Sequence, residues 1–420
     1  MKKFKAVLIS FSFTLLLTTL IFASEFKTGA ALRIITPSPL LPVSGGVGIP
    51  NPATIKKGEL TSRALVVEKD NIIFAIVSID NLGVTKIIGD RIRKLVPKIK
   101  SENILIGATH THSAPDLYGF ADEKGNSGTD LNYIEFVIQK TAEAINEALE
   151  NTKESLLKIA VEEINGKIAY NAYAPKLYDP RCGVIQFVSS SDKKVISTLV
   201  NYAIHPEVIG SDRGICTPDL IGPFYNKIET QVGGIAIFMN SAQGGMVTAD
   251  NRLENGNEAN NWEECIRIGE LLADESLRII SNAEIQENPK IETAFQELKL
   301  PVETELMKFI LEHAIIDYNL QNKNEVSTIL NLINIGTAQI ITIPGEALPN
   351  IGFYLKRKMK TKNPFLFGLT NDAYGYILTK EDFNSFKTYN YISRTSLGER
   401  TGEIFINSAL ELINKNSASE

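Results

Sequence analysis

Runs of small and β-branched residues that stop abruptly at a polar cluster constrain this chain more than any other feature. "NIIFAIVSIDN" ends at Asp80 and Asn81, "ILIGATHTH" at His110 and His112, and "VISTLVNYAIH" at His205. Further on, "GGIAIFMNSAQGG" ends at Asn240 and Ser241, "AQIITIPGE" at Glu346, and "PFLFGLTNDAYGY" at Asn371, Tyr374 and Tyr376. A strand with apolar residues at successive positions is buried on both faces, so helices must cover the sheet. Those helices are legible. Ile134, Val137, Ile138, Thr141, Ile145 and Leu149 fall on one face of "LNYIEFVIQKTAEAINEALEN". The same pattern runs through Trp262, Ile266, Leu272 and Ile280, then through "ELMKFILEHAIIDYNL" and "GEIFINSALELIN". The expected fold is α/β: one domain over residues 25–420, with a buried, mostly mixed β-sheet core flanked by helices. The functional site is expected at the strand carboxyl ends, where open α/β sheets place their ligands. "ITPSPLLPVSGGVGIPNP", rich in Pro and Gly, must be irregular.

Charge excludes one class of partner. The 43 basic and 49 acidic residues are interspersed, and the net charge of -6 leaves no footprint for nucleic acid. The start differs from the rest: Met-Lys-Lys-Phe-Lys, an apolar run from Ala6 to Ala23, then Ser-Glu-Phe. This is the pattern of a secretory signal over residues 1–24, which predicts a secreted or periplasmic protein; an uncleaved N-terminal anchor is the alternative. No segment is amphipathic with a basic face, so membrane contact is at most peripheral. Cys182, Cys216 and Cys265 fit neither a metal knuckle nor a disulfide-dense scaffold, and leave either one bridge with a free thiol or three buried thiols.

The chemistry concentrates in few residues. The chain has 4 histidines. His313, within a helical pattern, reads as a satisfied surface or core residue. On an extended chain His110 and His112 project to the same side, while His205 and Glu346 end other strands. Imidazole nitrogens plus a carboxylate suit zinc, and three protein ligands with an open position define a hydrolytic site. A hydrogen-bonded structural network is the other reading of the same residues.

Five segments narrow this choice. "GATHTHSAPD", "NYAIHP", "MNSAQGG", "IPGEAL" and "NDAYGYILTKEDF" occur in the order found in the neutral/alkaline ceramidases, and the sequence resembles the catalytic domain of that family over roughly residues 27 to 415. The resemblance implies a zinc amidohydrolase acting on a small-molecule or lipid N-acyl substrate. It implies zinc held by His110, His205, Glu346 and Tyr376, with His112 beside the metal as a proton-handling or substrate-contacting group. Ser241 falls on the family's active-site serine, and Tyr391 or Tyr389 on a further site tyrosine, with Tyr391 favoured by the "TSLG" register. Asp219 matches an acidic residue of structural character. The sequence also departs from the pattern: Ala172 follows Asn171 where the family has an arginine, Gly245 and Met246 replace an acidic neighbour, and the family's C-terminal immunoglobulin-like domain has no counterpart. Metal chemistry therefore transfers better than substrate identity. A zinc hydrolase of the same fold acting on a non-sphingolipid amide or ester remains open, as does a metal-containing binding protein without turnover.

Overall fold

The structure is a computed structural model and describes residues 25–121, 124–318, 320 and 324–416. The expected signal at residues 1–24 lies outside the described residues. The larger sheet is built from β1 (Lys27–Ile34), β2 (Thr61–Lys69), β3 (Ile72–Ile79), β4 (Ile104–Ala108), β5 (Lys153–Glu163), β6 (Arg181–Ser189), β7 (Val195–Tyr202) and β8 (Ile235–Asn240). Its order is β8-β7-β6-β5-β1-β2-β3-β4, and the short strand Ile285–Gln286 pairs with β5. Neighbours in the middle are antiparallel; the pairs at the two ends, β3 with β4 and β8 with β7, are parallel.

Parallel pairs need crossovers. Helix α1 (Lys86–Lys94), capped by the Thr85 hydroxyl, lies between β3 and β4 in sequence, and α3 (Ile221–Val232) lies between β7 and β8. Helix α2 (Leu131–Glu150) is started by Asp130, whose carboxylate accepts from the backbone N–H groups of Asn132 and Tyr133. It buries Ile134, Val137, Ile138, Thr141 and Ile145 against β1 and β2, as the periodicity predicts. In α4 (Trp262–Ser281) Leu272 and Ile280 are buried and Trp262 packs half-buried on the core, as expected, and the departure is at Ile266. Cys265, Ile268, Leu272 and Ile279 point inward, whereas Ile266 is exposed. The reason is Gly269: a Cβ there would lie 2.2 Å from the Leu220 carbonyl oxygen, so the glycine face is the one that meets α3. Helix α5 (Glu305–His313) stops short of the pattern that runs on toward Leu320, and His313 ends it exposed, stacked on Phe309.

A second sheet contains β9 (Ile291–Pro301), β10 (Glu325–Ile335), β11 (Ala338–Thr342) and β13 (Asn363–Phe367), in the order β9-β10-β11-β13. Between β11 and β13 come β12 (Glu346–Ala347) and α6 (Pro349–Lys358); β12 pairs in parallel with β14 (Tyr376–Ile377), Glu346 opposite Tyr376. Helix α7 (Thr401–Lys415) closes the described chain over this sheet. The two sheets share a core in which Phe187, Ile237 and Met239 pack with Ile333, Phe365 and Phe367. Residues 35–54 form no strand, as the Pro and Gly content requires. Cys182, Cys216 and Cys265 are all buried free thiols. Among the described residues no helix is long and apolar enough to cross a membrane.

β4 and β8 end the sheet on opposite sides, yet they come together. The Ser78 hydroxyl donates to the Phe238 carbonyl at 2.5 Å, and Gly107 leaves just enough room for Met239 and Thr370, each 2.7 Å from where its Cβ would be. Asn240 completes the closure. Its amide donates to the carbonyls of Thr109 at 3.1 Å and Ile204 at 2.7 Å, while its oxygen accepts from the N–H groups of Ile204 and Ser241. Thr109 and Ile204 immediately precede His110 and His205. Because Asn240 is fully buried, Asn240→Ala strands several backbone groups at about 1–3 kcal/mol each. The variant is expected to lose at least about 3 kcal/mol in urea unfolding, with an unchanged m value. A loss below about 1 kcal/mol would show that water replaces the amide and that the staple is dispensable.

Candidate metal centre

The histidines arrive by different routes. After β4 the chain does not stay extended: His110 has φ 73°, a left-handed conformation that costs a non-glycine residue about 1–2 kcal/mol. Two hydrogen bonds hold it there, Thr109 N–H to the Ile79 carbonyl and His110 N–H to the Asn81 carbonyl, both at 2.9 Å. The expectation of two imidazoles side by side on one extended strand is therefore corrected. The turn at His110 aims its ring across that of His112, edge to face with centroids 4.8 Å apart. His205 leaves β7 with both its backbone N–H and its Nδ1 directed at the Val247 carbonyl, at 2.9 and 2.8 Å. Asp219 secures the segment that follows, its carboxylate accepting from the N–H groups of Val208, Ile209 and Leu220. Burial raises that carboxyl to about 6 against these bonds, so its part is structural, as expected.

The hydrogen bonds assign the tautomers. His110 Nδ1 faces the Leu82 carbonyl at 2.6 Å and His205 Nδ1 the Val247 carbonyl, so each Nδ1 carries its proton and each Nε2 a lone pair. Both Nε2 atoms face the same oxygen of Glu346, at 3.5 Å from His110 and 3.0 Å from His205. Two lone pairs pointing at one buried carboxylate repel unless a cation lies between them. A proton can take that place: burial acts most strongly and lowers His205, but the bond to Glu346, the charges of Glu207 and Glu346 and the bond to Val247 together outweigh it and raise the imidazole to about 9. Burial likewise acts to raise Glu346, yet His110 and His205 hold its carboxyl well below the usual range. The backbone of Glu346 is fixed tightly, since a Cβ on Gly244 would lie 2.1 Å from its carbonyl oxygen.

His110, His112 and His205 each offer a nitrogen within 4.8 Å of the others. His112 differs from its neighbours. Its Nε2 is buried without a hydrogen-bond partner, and its Nδ1 lies 3.4 Å from a Glu207 oxygen. Desolvation, with His110 and His205 adding to it, pushes this imidazole down to about 3, so it is neutral. The donor set of imidazoles and one carboxylate suits a borderline-soft divalent cation, and the three-histidine cluster can hold a metal.

His110, His112 and Glu346 form the polar floor of a pocket that is open to solvent and holds about 510 Å³ of empty space; His205 lies behind that floor, against Glu346. Its walls come from Gly45, Gly46, Val47, Leu82, Tyr118 and Phe120 on one side and Met307, Ala373 and Tyr391 on the other. Tyr376 also lines it, its hydroxyl donating to Met246 Sδ at 3.6 Å, which gives the unexpected Met246 a role as acceptor. Tyr391 stands over Tyr376 with ring centroids 5.9 Å apart, whereas Tyr389 stacks on Tyr173 away from the cavity. Tyr391 is therefore the tyrosine brought to the site. Ser241, buried in the turn after β8, is not among the residues lining this cavity. Asn171 uses its side-chain oxygen to turn the backbone at Tyr173 and Ala174, and among the described residues no Lys or Arg lines the cavity. Sequence reasoning passed over Glu207, Tyr118, Phe120 and Met307. Only Glu207 carried a signal, as a charged residue two positions after His205.

No protein-family model matches the sequence, and no curated protein matches it. Solved structures do. Neutral ceramidase from Pseudomonas aeruginosa superposes with a TM-score of 0.74 at 16% identity, covering 94% of this chain and 76% of that one. A ceramidase complexed with C2 gives 0.72 at 15% identity over the same shares. Identity that low speaks for the shape of the chain alone. In fold, this chain is neutral ceramidase-like.

Proposed function

We propose that the protein is a zinc-dependent amidohydrolase that cleaves the N-acyl bond of a ceramide or a related N-acyl compound. The observation that carries this reading is the convergence of His110 Nε2, His205 Nε2 and the Glu346 carboxylate on one point at the floor of an apolar cavity. The likeness in fold to neutral ceramidase supports it. When bound, zinc would supply Lewis acidity and lower the pKa of water from 15.7 to about 7.

The chain's own residues supply the remainder. His110, His205, Glu346 and Tyr376 are the proposed ligands. The cavity walls strip water from an acyl chain, which contributes about 0.8 kcal/mol per buried methylene, and so present its carbonyl to the floor. His112, neutral and with a free Nε2, takes up a proton there and passes it to the departing amine nitrogen. Tyr391, at the mouth, is placed to donate to the carbonyl oxygen as charge builds on it; losing one such donor costs about 3–4 kcal/mol. Ser241 takes no step in this reading, because it does not border the cavity. Export through the signal at residues 1–24 belongs to the same proposal.

The cavity also favours a particular substrate range. It is modest in size and, among the described residues, is lined by no cationic group. A short-chain or non-sphingoid N-acyl substrate is therefore expected to be cleaved at least as well as a long-chain ceramide. Rates compared across N-acylsphingosines of increasing acyl length and simple N-acyl amides, with and without zinc, test this; a steady rise with acyl length would restore a long-chain ceramidase, and no turnover of any amide or ester would leave a binding protein.

The metal prediction is independent of substrate. Elemental analysis should find one zinc per chain in the wild type and in His112→Ala, and none in the His110→Ala, His205→Ala double variant. His112→Ala should lose turnover by about 10²- to 10⁴-fold while keeping the metal. Equal zinc loss in His112→Ala and His110→Ala would make His112 a ligand instead.

A further inference from the structure

Glu207 has no part in the site as described so far, yet the fold spends several contacts on placing it. It follows His205 by two residues, its backbone N–H bonded to the His205 carbonyl at 3.1 Å. The Pro206 carbonyl between them accepts from the His112 backbone N–H at 3.2 Å, so the two segments are in fixed register. The Glu207 side chain bonds to Thr248, which itself bridges to His205. Its Oε2 lies 3.4 Å from His112 Nδ1, with the His112 side chain 15% exposed and that of Glu207 25% exposed. The consequence falls on the far side of the ring. A proton drawn to Nδ1 by the neighbouring carboxylate would leave a lone pair on Nε2, the atom that is buried without a partner, in the cluster with His110 and His205. His110 and His205 have backbone carbonyls in the corresponding position; His112 alone has a carboxylate.

We propose that Glu207 is a positioning residue that fixes the tautomer and ring orientation of His112, keeping its Nε2 free and aimed at the reaction site. The proposal rests on the amidohydrolase reading for its effect on turnover, but not for its effect on the imidazole. A carboxylate behind a working histidine fixes its tautomer and, where it is lost, activity typically falls by about 10- to 100-fold. Glu207 borders a second, polar cavity with Tyr170, Arg213, Met246 and Thr248 and is not among the residues lining the substrate cavity.

The test reads the ring directly. With 4 histidines in the chain, long-range ¹H–¹⁵N correlation spectra of the zinc-loaded, histidine-labelled protein resolve each tautomer. Wild type should show His112 protonated on Nδ1. Glu207→Met, which removes the acceptor at similar size, should move the proton to Nε2 and lower kcat by about 10- to 100-fold, with KM changed less than about threefold and zinc content unchanged. Glu207→Gln, which keeps an acceptor oxygen of the same reach, should restore the Nδ1 tautomer and most of the rate. In a His112→Ala background, Glu207→Met should have almost no further effect on kcat. If the methionine variant fails to fold, Glu207→Leu gives the same comparison. An unchanged His112 tautomer in the variant without an acceptor overturns the proposal, and so does loss of zinc together with activity. A tautomer that shifts in a protein hydrolysing no amide would sink the amidohydrolase reading and leave the positioning role standing.

Discussion

One buried amide holds the site together. His110 and His205 leave strands at opposite ends of the larger sheet, and nothing in the local chain brings those ends into contact. The Asn240 side chain does so, by accepting and donating hydrogen bonds at the residues that directly precede both histidines. With no solvent in reach, an amide in that place is either fully satisfied or costly, so the closure is set in one geometry. The left-handed turn at His110 and the backbone bonds of His205 then follow from where Asn240 fixes Thr109 and Ile204.

The second sheet delivers the counter-charge. Glu346 comes from a two-residue strand wedged beside Gly244 and paired opposite Tyr376, so a carboxylate and a phenol reach the same floor from one ladder. The result is an arrangement in which a buried carboxylate faces imidazole nitrogens, held at low energy by a proton on His205 and able to accept a metal ion in its place. The three imidazoles are separated by what stands behind each Nδ1: carbonyls behind His110 and His205, a carboxylate behind His112. The walls of the pocket are largely apolar while its floor is polar.

The apolar runs ending in polar clusters were enough to determine the α/β class, the buried strands and the places where chemistry gathers, because period and composition are local properties. The helical face of α2 was equally legible. That of α4 was legible except at Ile266, because Gly269 sets the packing face through a contact with Leu220, some fifty residues away in sequence. Motif order marked out His110, His112, His205, Glu346 and Tyr376, all of which the fold gathers at one site. What no sequence pattern contains is the relation between separate strand ends. Tertiary structure alone chose Tyr391 over Tyr389 at the cavity, left Ser241 outside its lining, and set Glu207 behind His112. Each of those outcomes depends on which side chains meet across the closure of the larger sheet, and that closure is a long-range contact between segments more than 90 residues apart, made by side chains whose spacing along the chain carries no record of it.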